Sequence, residues 1–300
     1  MQKTYKKTQK PKSIPHLPTV AVVTGASRGA GRGIAIALGS YGCTVYVTGR
    51  SQKTGDSNLP GTIYETAEAV SAAGGKGIAM RVDHANDDEV KKLFEHVKSE
   101  QGRLDILVNN ACALNDELTA PGNFWEKPLG IVDMLNVGLR SSYVASYFAA
   151  PIMVEQRRGL IMFTSASGSV HYVYGPVYGA HKAGMDKFAA DMAEDLKSFN
   201  VAALSVWMGA LKTERLKRVI DSDPEKYSYL ENITETPEFT GHVVWALYND
   251  PELLAISGTT VIGAEMAVKY GFTDEGGRQP PSYRDTHKIA PREQYPFVIR

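Results

Sequence analysis

Cysteine is scarce in this chain: 300 residues carry two thiols, Cys43 and Cys112. Neither has a His or a second Cys at metal-ligand spacing. A disulfide framework and a zinc site are both set aside, no metal is expected, and a reducing, cytoplasmic setting follows. Long apolar runs are missing as well. No stretch of eighteen apolar residues occurs, so no membrane span is expected. Neither sign of charge is in excess, because 33 Lys and Arg offset 33 Asp and Glu. That balance offers no electrostatic footprint for nucleic acid. Residues 1–17 begin basic and polar without an apolar core, and read as a flexible tail rather than a secretory signal. His171 and His181 are read as pocket-wall or surface histidines rather than as hydrolase bases.

What the chain does have is alternation. Short β-branched runs at 20–24, 44–48, 77–82, 106–108, 160–164, 202–207 and 259–262 are separated by helical patterns. The helical stretches fall near 31–41, 62–73, 87–101, 128–153, 176–199 and 237–249. Several strands are almost continuously apolar, as strands are when helices cover both sheet faces. The expectation is one α/β domain, a Rossmann-type doubly wound parallel sheet of about seven strands flanked by helices, over 18–271. Residues 212–236, rich in charge, read as a candidate substrate lid, and 272–300 as a C-terminal extension with little periodicity.

Directly after the first strand comes Gly25-Ala26-Ser27-Arg28-Gly29-Ala30-Gly31. Glycine allows a tight turn and lets backbone N–H groups and a helix N-terminus approach a pyrophosphate, so this turn is assigned to a dinucleotide. An NAD site usually places an acid at the end of the second strand for the ribose hydroxyls. Here that strand runs into Gly49, Arg50 and Ser51 instead. Arg50, with Arg28 inside the turn, suits a 2′-phosphate, and NADP(H) is favoured over NAD(H). Farther on, Tyr178 and Lys182 stand four residues apart, on one face of a helix. A lysine charge near a phenol favours phenolate and lowers its pKa, a pairing fit for proton transfer.

With a glycine turn and a Tyr/Lys pair on one α/β chain, the sequence resembles the short-chain dehydrogenase/reductases from about Thr19 to Ile262. The resemblance implies roles for further residues. Ser165, thirteen residues before Tyr178, matches the catalytic serine, with Ser167 as its rival. Asn136, in Leu135-Asn136-Val137-Gly138, matches the asparagine that anchors a relay water, and Asp83 the residue beside the adenine ring. Asn109, in Asn109-Asn110-Ala111, lines the cofactor in that family, although Cys112 replaces the usual glycine. Gly209 and Thr213 fit the motif after the sixth strand, where Met208 replaces a proline, and Thr213 would meet the nicotinamide carboxamide. Tyr178 and Lys182 are also placed against the nicotinamide ribose.

The implied reaction is hydride transfer between nicotinamide and a carbonyl or secondary alcohol, with Tyr178 as general acid/base and Ser165 steadying the oxygen. Tyr172, Tyr174, Phe124, Trp125 and Met208 suggest a fairly apolar carbonyl or alcohol substrate. The resemblance further implies a homodimer or homotetramer built through the Tyr178 helix. Two other readings are a catalytically silent NADP-binding sensor or scaffold, and an isomerase or dehydratase using the same Tyr/Lys pair. Enoyl reduction is disfavoured, because Gly175 stands where that chemistry would place its tyrosine.

Overall fold

The β-branched and aliphatic runs become β1 (Val20–Val23), β2 (Thr44–Gly49), β3 (Lys76–Arg81), β4 (Ile106–Asn109), β5 (Gly159–Ser165), β6 (Val201–Trp207) and β7 (Thr260–Ile262). This is a computed structural model, and it describes residues 18–300, so the expected tail over 1–17 lies outside the described residues. The strands form one parallel sheet in the order β3-β2-β1-β4-β5-β6-β7. Between them run α1 (Gly29–Ser40), α2 (Ile63–Ala72), α3 (Asp87–Gln101), α4 (Ser141–Gln156) and α5 (Pro176–Leu196). Then come α6 (Glu214–Ser222), α7 (Pro224–Tyr227), α8 (Pro237–Tyr248), α9 (Gly263–Tyr270) and α10 (Tyr283–His287).

The strands have to be apolar on both sides because both sides are covered. Val23, Val47, Val108, Met162 and Leu204 pack in one core with residues of α1, α2 and α8. Their neighbours in sequence, including Val22, Tyr46, Leu107, Ile161 and Ala203, pack in a second core with α3, α4 and α5. Side chains of successive strand residues point to opposite faces, which divides each run between the two cores. Helix α1 approaches α8 closely, since a Cβ at Gly33 would stand 2.3 Å from Pro237.

Strand order reverses between β1 and β4, so the carboxyl ends of those strands open a crevice where α/β sheets bind ligands. The glycine turn, Asn109 and Asn110 all lie there.

The long helix expected over 128–153 is broken. Residues Leu129–Val132 form a 3₁₀ turn, and Leu135–Arg140 a widened turn before α4. Val137 (ψ 90°) and Gly138 (φ 155°) are not helical, and Val137's carbonyl turns outward to accept from Ala113 N–H at 2.7 Å. The stretch keeps helical apolar spacing on both sides of this break, which is why periodicity alone runs through it. Residues 212–236 and 272–300 also hold more helix than their composition suggests, in α6, α7 and α10.

Candidate active site

Gly25 sits at φ +63°, and a Cβ there would stand 2.6 Å from Ala111 Cα. Left-handed backbone and close approach together call for glycine. Asn110 holds the turn from across the crevice: its Nδ2 donates to the carbonyls of Thr24 (2.9 Å) and Gly25 (3.1 Å). Thr24 Oγ1 in turn accepts from the amides of Asn110 and Ala111. Asn109 points elsewhere. Its Nδ2 donates to Ser146 Oγ of α4 at 2.9 Å, on the buried side of β4.

The first turn of α1 is an anion seat by its construction, and an anion occupies it. Arg28 caps α1 without a side-chain bond, and the Gly29 amide donates to Glu214 Oε2 at 2.9 Å. Glu214 opens α6, which Thr213 caps by accepting from Leu216 N–H. The carboxylate thus stands where a helix N-terminus favours negative charge. Arg215 bonds Asp116 and Arg218 bonds the Asn58 carbonyl, which carries α6 across the mouth of the crevice. The residues that would hold a dinucleotide therefore fit one: a glycine turn, open amides and a carboxylate already at the anion position.

Arg28 reaches the end of β2. Its guanidinium donates to Ser51 Oγ (2.9 Å) and to the carbonyls of Pro60 and Gly61. Burial lowers its pKa, and Glu214 opposes that shift. Arg50, two-thirds exposed, lies 4.0 Å from Asp83. Both arginines, Ser51 and Asp83 therefore gather at the carboxyl ends of β2 and β3.

At the ends of β5 and β6 the chain assembles the second half of the site. Lys182, buried, donates from Nζ to Thr164 O at 3.2 Å and lies 5.7 Å from the Tyr178 ring centre. Ser165, fully buried, donates from Oγ to Lys182 O at 3.2 Å. Tyr178 packs against Gly168 so tightly that a Cβ at 168 would stand 2.5 Å from its Cε1. Tyr174 meets Tyr178 edge-on, with ring centres 5.3 Å apart, and holds a left-handed backbone at φ 58°. Non-glycine residues in that conformation gather at functional sites.

The electrostatics depart from the expectation that Lys182 pulls the phenol pKa down. Burial raises the Tyr178 pKa, and Tyr283, Tyr174 and Cys112 raise it further. Burial lowers that of Lys182 itself. In this low-dielectric setting desolvation outweighs the attraction between the two groups, so the phenol holds its proton.

Asn136 is exposed, and its carbonyl accepts from the Ser141 amide. The side chain packed into the break is instead His181. A Cβ at Gly138 would stand 2.9 Å from its Nε2, and neither ring nitrogen has a partner among the described residues. Burial keeps this imidazole neutral. His171 bonds Ser167 at 3.0 Å. Phe124 and Trp125 meet edge-on at the surface, and Tyr172 is 77% exposed, so these aromatics form a rim rather than a buried lining.

Reading the sequence alone passes over three groups. Glu235, buried at the end of the 212–236 segment, accepts from the Gly209 amide at 3.0 Å. Burial and the nearby Asp274 raise its pKa to about 7 against the pull of the Gly209 amide and Arg278. Glu214 and Tyr283 are the others. All three come from segments without periodicity, and no local pattern marks them.

A family model described as short chain dehydrogenase matches residues 19–223. The chain belongs to this family. Among curated relatives, this short-chain dehydrogenase is similar to dehydrogenase/reductase SDR family member 1 of Mus musculus and of Homo sapiens. Each is 39% identical over 275 residues, covering 88% of this chain and 85% of the relative. Among solved structures, a short chain dehydrogenase of Mycobacterium thermoresistibile superposes with a TM-score of 0.73 at 25% identity, covering 89% of this chain and 93% of that one. A metagenomic short-chain oxidoreductase in complex with NADP gives 0.64 at 26% identity, covering 82% and 96%. The family makes this chain an oxidoreductase whose fold binds a nicotinamide cofactor. No helix among the described residues is long and apolar enough to cross a membrane, and no group of metal ligands occurs among them.

Proposed function

We propose that this short-chain dehydrogenase is an NADP(H)-dependent carbonyl reductase or alcohol dehydrogenase with Tyr178 as its general acid/base. The observation that carries the reading is the convergence of Ser165, Tyr178 and Lys182 at the ends of β5 and α5. They stand at the same edge of the sheet as the glycine turn. When bound, the nicotinamide supplies or accepts the hydride at the reacting carbon. In reduction, Tyr178 gives its proton to the developing alkoxide, a role suited to a phenol that burial keeps protonated. Ser165 turns its hydroxyl from Lys182 O to the same oxygen and steadies its charge. Lys182 orients the nicotinamide ribose and, with Asn136 at the exposed end of the path, restores the proton to Tyr178.

For the cofactor, Gly25, Ser27, Arg28, Gly29, Ala30 and Gly31 cradle the pyrophosphate, and Asp83 belongs to the wall around the adenine. Asn109, turned to Ser146, supports the site through its backbone at the end of β4. Gly209 and Thr213 face the carboxamide end. The preference for NADP(H) is supported by the meeting of Arg28 with Ser51 and of Arg50 with Asp83 at the end of β2, where no acid takes the ribose hydroxyls. One relative by structure is in complex with NADP. Residues 212–236 act as a lid through α6. Exposed Tyr143 and Tyr147 of α4 support a self-association face that pairs copies into a dimer or tetramer. The setting is cytoplasmic.

The test is a panel of ketones, aldehydes and secondary alcohols with NADPH and NADH in parallel, following nicotinamide absorbance. Carbonyl-dependent oxidation of NADPH, well above that of NADH, is expected. Binding of NADPH with no turnover across the panel would favour a silent sensor, and a clear NADH preference would remove the role given to Arg28 and Arg50.

A further inference from the structure

The C-terminal segment returns over the catalytic end of the sheet and is latched at both ends of its path. At the first, Asp274 accepts from Thr236 N–H (2.9 Å) and Oγ1 (2.5 Å) and pairs with Arg278, while Arg278 also bonds the Thr234 carbonyl. At the second, Glu265 of α9 accepts from Ser282 Oγ (2.6 Å) and Arg284 Nε (3.0 Å). Between Ser282 and Arg284 stands Tyr283, with little freedom to be anywhere else.

Its ring lies edge-on to Trp207, with centres 6.4 Å apart, and packs with Val170, Ile262 and Ala264. Trp207 is the strand partner of Ser165, and Asp186 fixes its indole by accepting from Nε1 at 3.0 Å. Val170 follows the Ser167–Ser169 turn, whose Gly168 presses on Tyr178. Tyr283 is therefore one residue removed from Ser165, through Trp207, and shares a cluster with Val170, which leads through the Ser167–Ser169 turn to Tyr178. The Tyr283 hydroxyl lies on the side of Ser167, which pairs with His171. No group among the described residues accepts the phenolic proton of Tyr283, which is therefore free for a ligand.

We infer that Tyr283 is a substrate-contacting, specificity-determining residue, and that the site takes a carbonyl compound carrying a second hydrogen-bonding oxygen close to the reacting one. This rests on the reading of Tyr178 as the proton donor to the first oxygen. Tyr283 meets the second oxygen from the opposite wall. A site built to bond a substrate oxygen discriminates against the analogue that lacks it, because the protein group is then left unpaired.

The experiment compares the wild type and Tyr283→Phe on three probes: hexane-2,3-dione, hexane-2,4-dione and hexan-2-one, each with NADPH. The phenylalanine keeps the ring against Trp207 and removes only the hydroxyl. NADPH affinity and melting temperature should not move. The expected result is a fall of about tenfold in kcat/KM for at least one dione, carried mainly by KM, with hexan-2-one within about twofold; that is the scale of one lost hydrogen bond. Equal losses on dione and monoketone, or none on either, overturn the inference and leave the proposed function standing. A wild type that binds NADPH and reduces monoketones but neither dione overturns the inference alone, and one that reduces no carbonyl of the wider panel overturns both.

Discussion

Ser165 donates its hydroxyl hydrogen to the carbonyl of Lys182, and the Lys182 ammonium returns to the carbonyl of Thr164, one residue earlier in β5. Strand and helix are thus laced by the two side chains to which the proposed reaction gives roles. In that reaction each leaves its present partner, or shares it, when substrate and cofactor bind.

Replacing Ser165 separates its two uses. The Lys182 carbonyl lies within α5, so losing one extra donor should cost stability only about 1 kcal/mol or less. Losing a donor to the developing alkoxide should cost about 10²- to 10³-fold in kcat. Ser165→Ala is expected to melt near the wild-type temperature while carbonyl reduction collapses. An active Ser165→Ala enzyme would hand the role to Ser167.

Tyr178→Phe should lower turnover by about 10²- to 10⁴-fold while NADPH still binds, as measured by fluorescence titration. The wild-type pH profile tests the same residue. Because burial raises the phenol pKa, the proton-donating form persists through neutral and alkaline pH. Reduction should therefore hold its rate up to about pH 10, the ordinary phenol value. Oxidation, which needs the phenolate, should climb over that range. A reduction rate that falls steadily from neutral pH would contradict a protonated Tyr178.

Glu214 competes for the seat at the start of α1. In the proposed site its carboxylate and a pyrophosphate cannot both bond the Gly29 amide, so cofactor entry there displaces it. A charge at a helix N-terminus is worth about 0.3–1 kcal/mol, so Glu214→Gln should tighten NADP(H) binding about two- to fivefold. Isothermal titration reads this directly. Weaker binding in Glu214→Gln would mean that the carboxylate supports the cofactor instead.

Glu235 makes stability depend on pH, and the sign follows from its raised pKa. The folded state holds the proton up to about pH 7, whereas the unfolded chain releases it near 4.5, the ordinary value for a glutamate. Between those values the unfolded state binds fewer protons, so stability falls as pH rises. The full effect is roughly 3 kcal/mol. Glu235→Gln keeps an acceptor for the Gly209 amide and removes the titration. It should melt above the wild type at pH 8 and close to it at pH 4.5. Parallel melting curves across this range would show that Glu235 is ionised in the fold.

Local pattern carried most of the architecture. The strands were legible because runs buried on both faces are largely apolar, as in β1, whereas the half-buried β3 was marked only by its apolar middle. The glycine turn was legible because a left-handed residue beside Ala111 admits no side chain. The break at Val137 and Gly138 was not, since apolar spacing continues through it and the groups that meet it, His181 at Gly138 and the Ala113 amide at the Val137 carbonyl, lie far away in the chain.

The short-range chemistry was therefore settled by the sequence: glycines at a strand end, and Tyr178 and Lys182 on one helical face, follow from spacing and covalent geometry. Only the tertiary structure decided what surrounds them. The tyrosine's proton affinity depends on burial and on Tyr283 and Cys112, which are distant in sequence. Glu214 at the Gly29 amide is a contact across 185 positions. Desolvation and charge act through space, and no periodicity records which groups the fold will bring together.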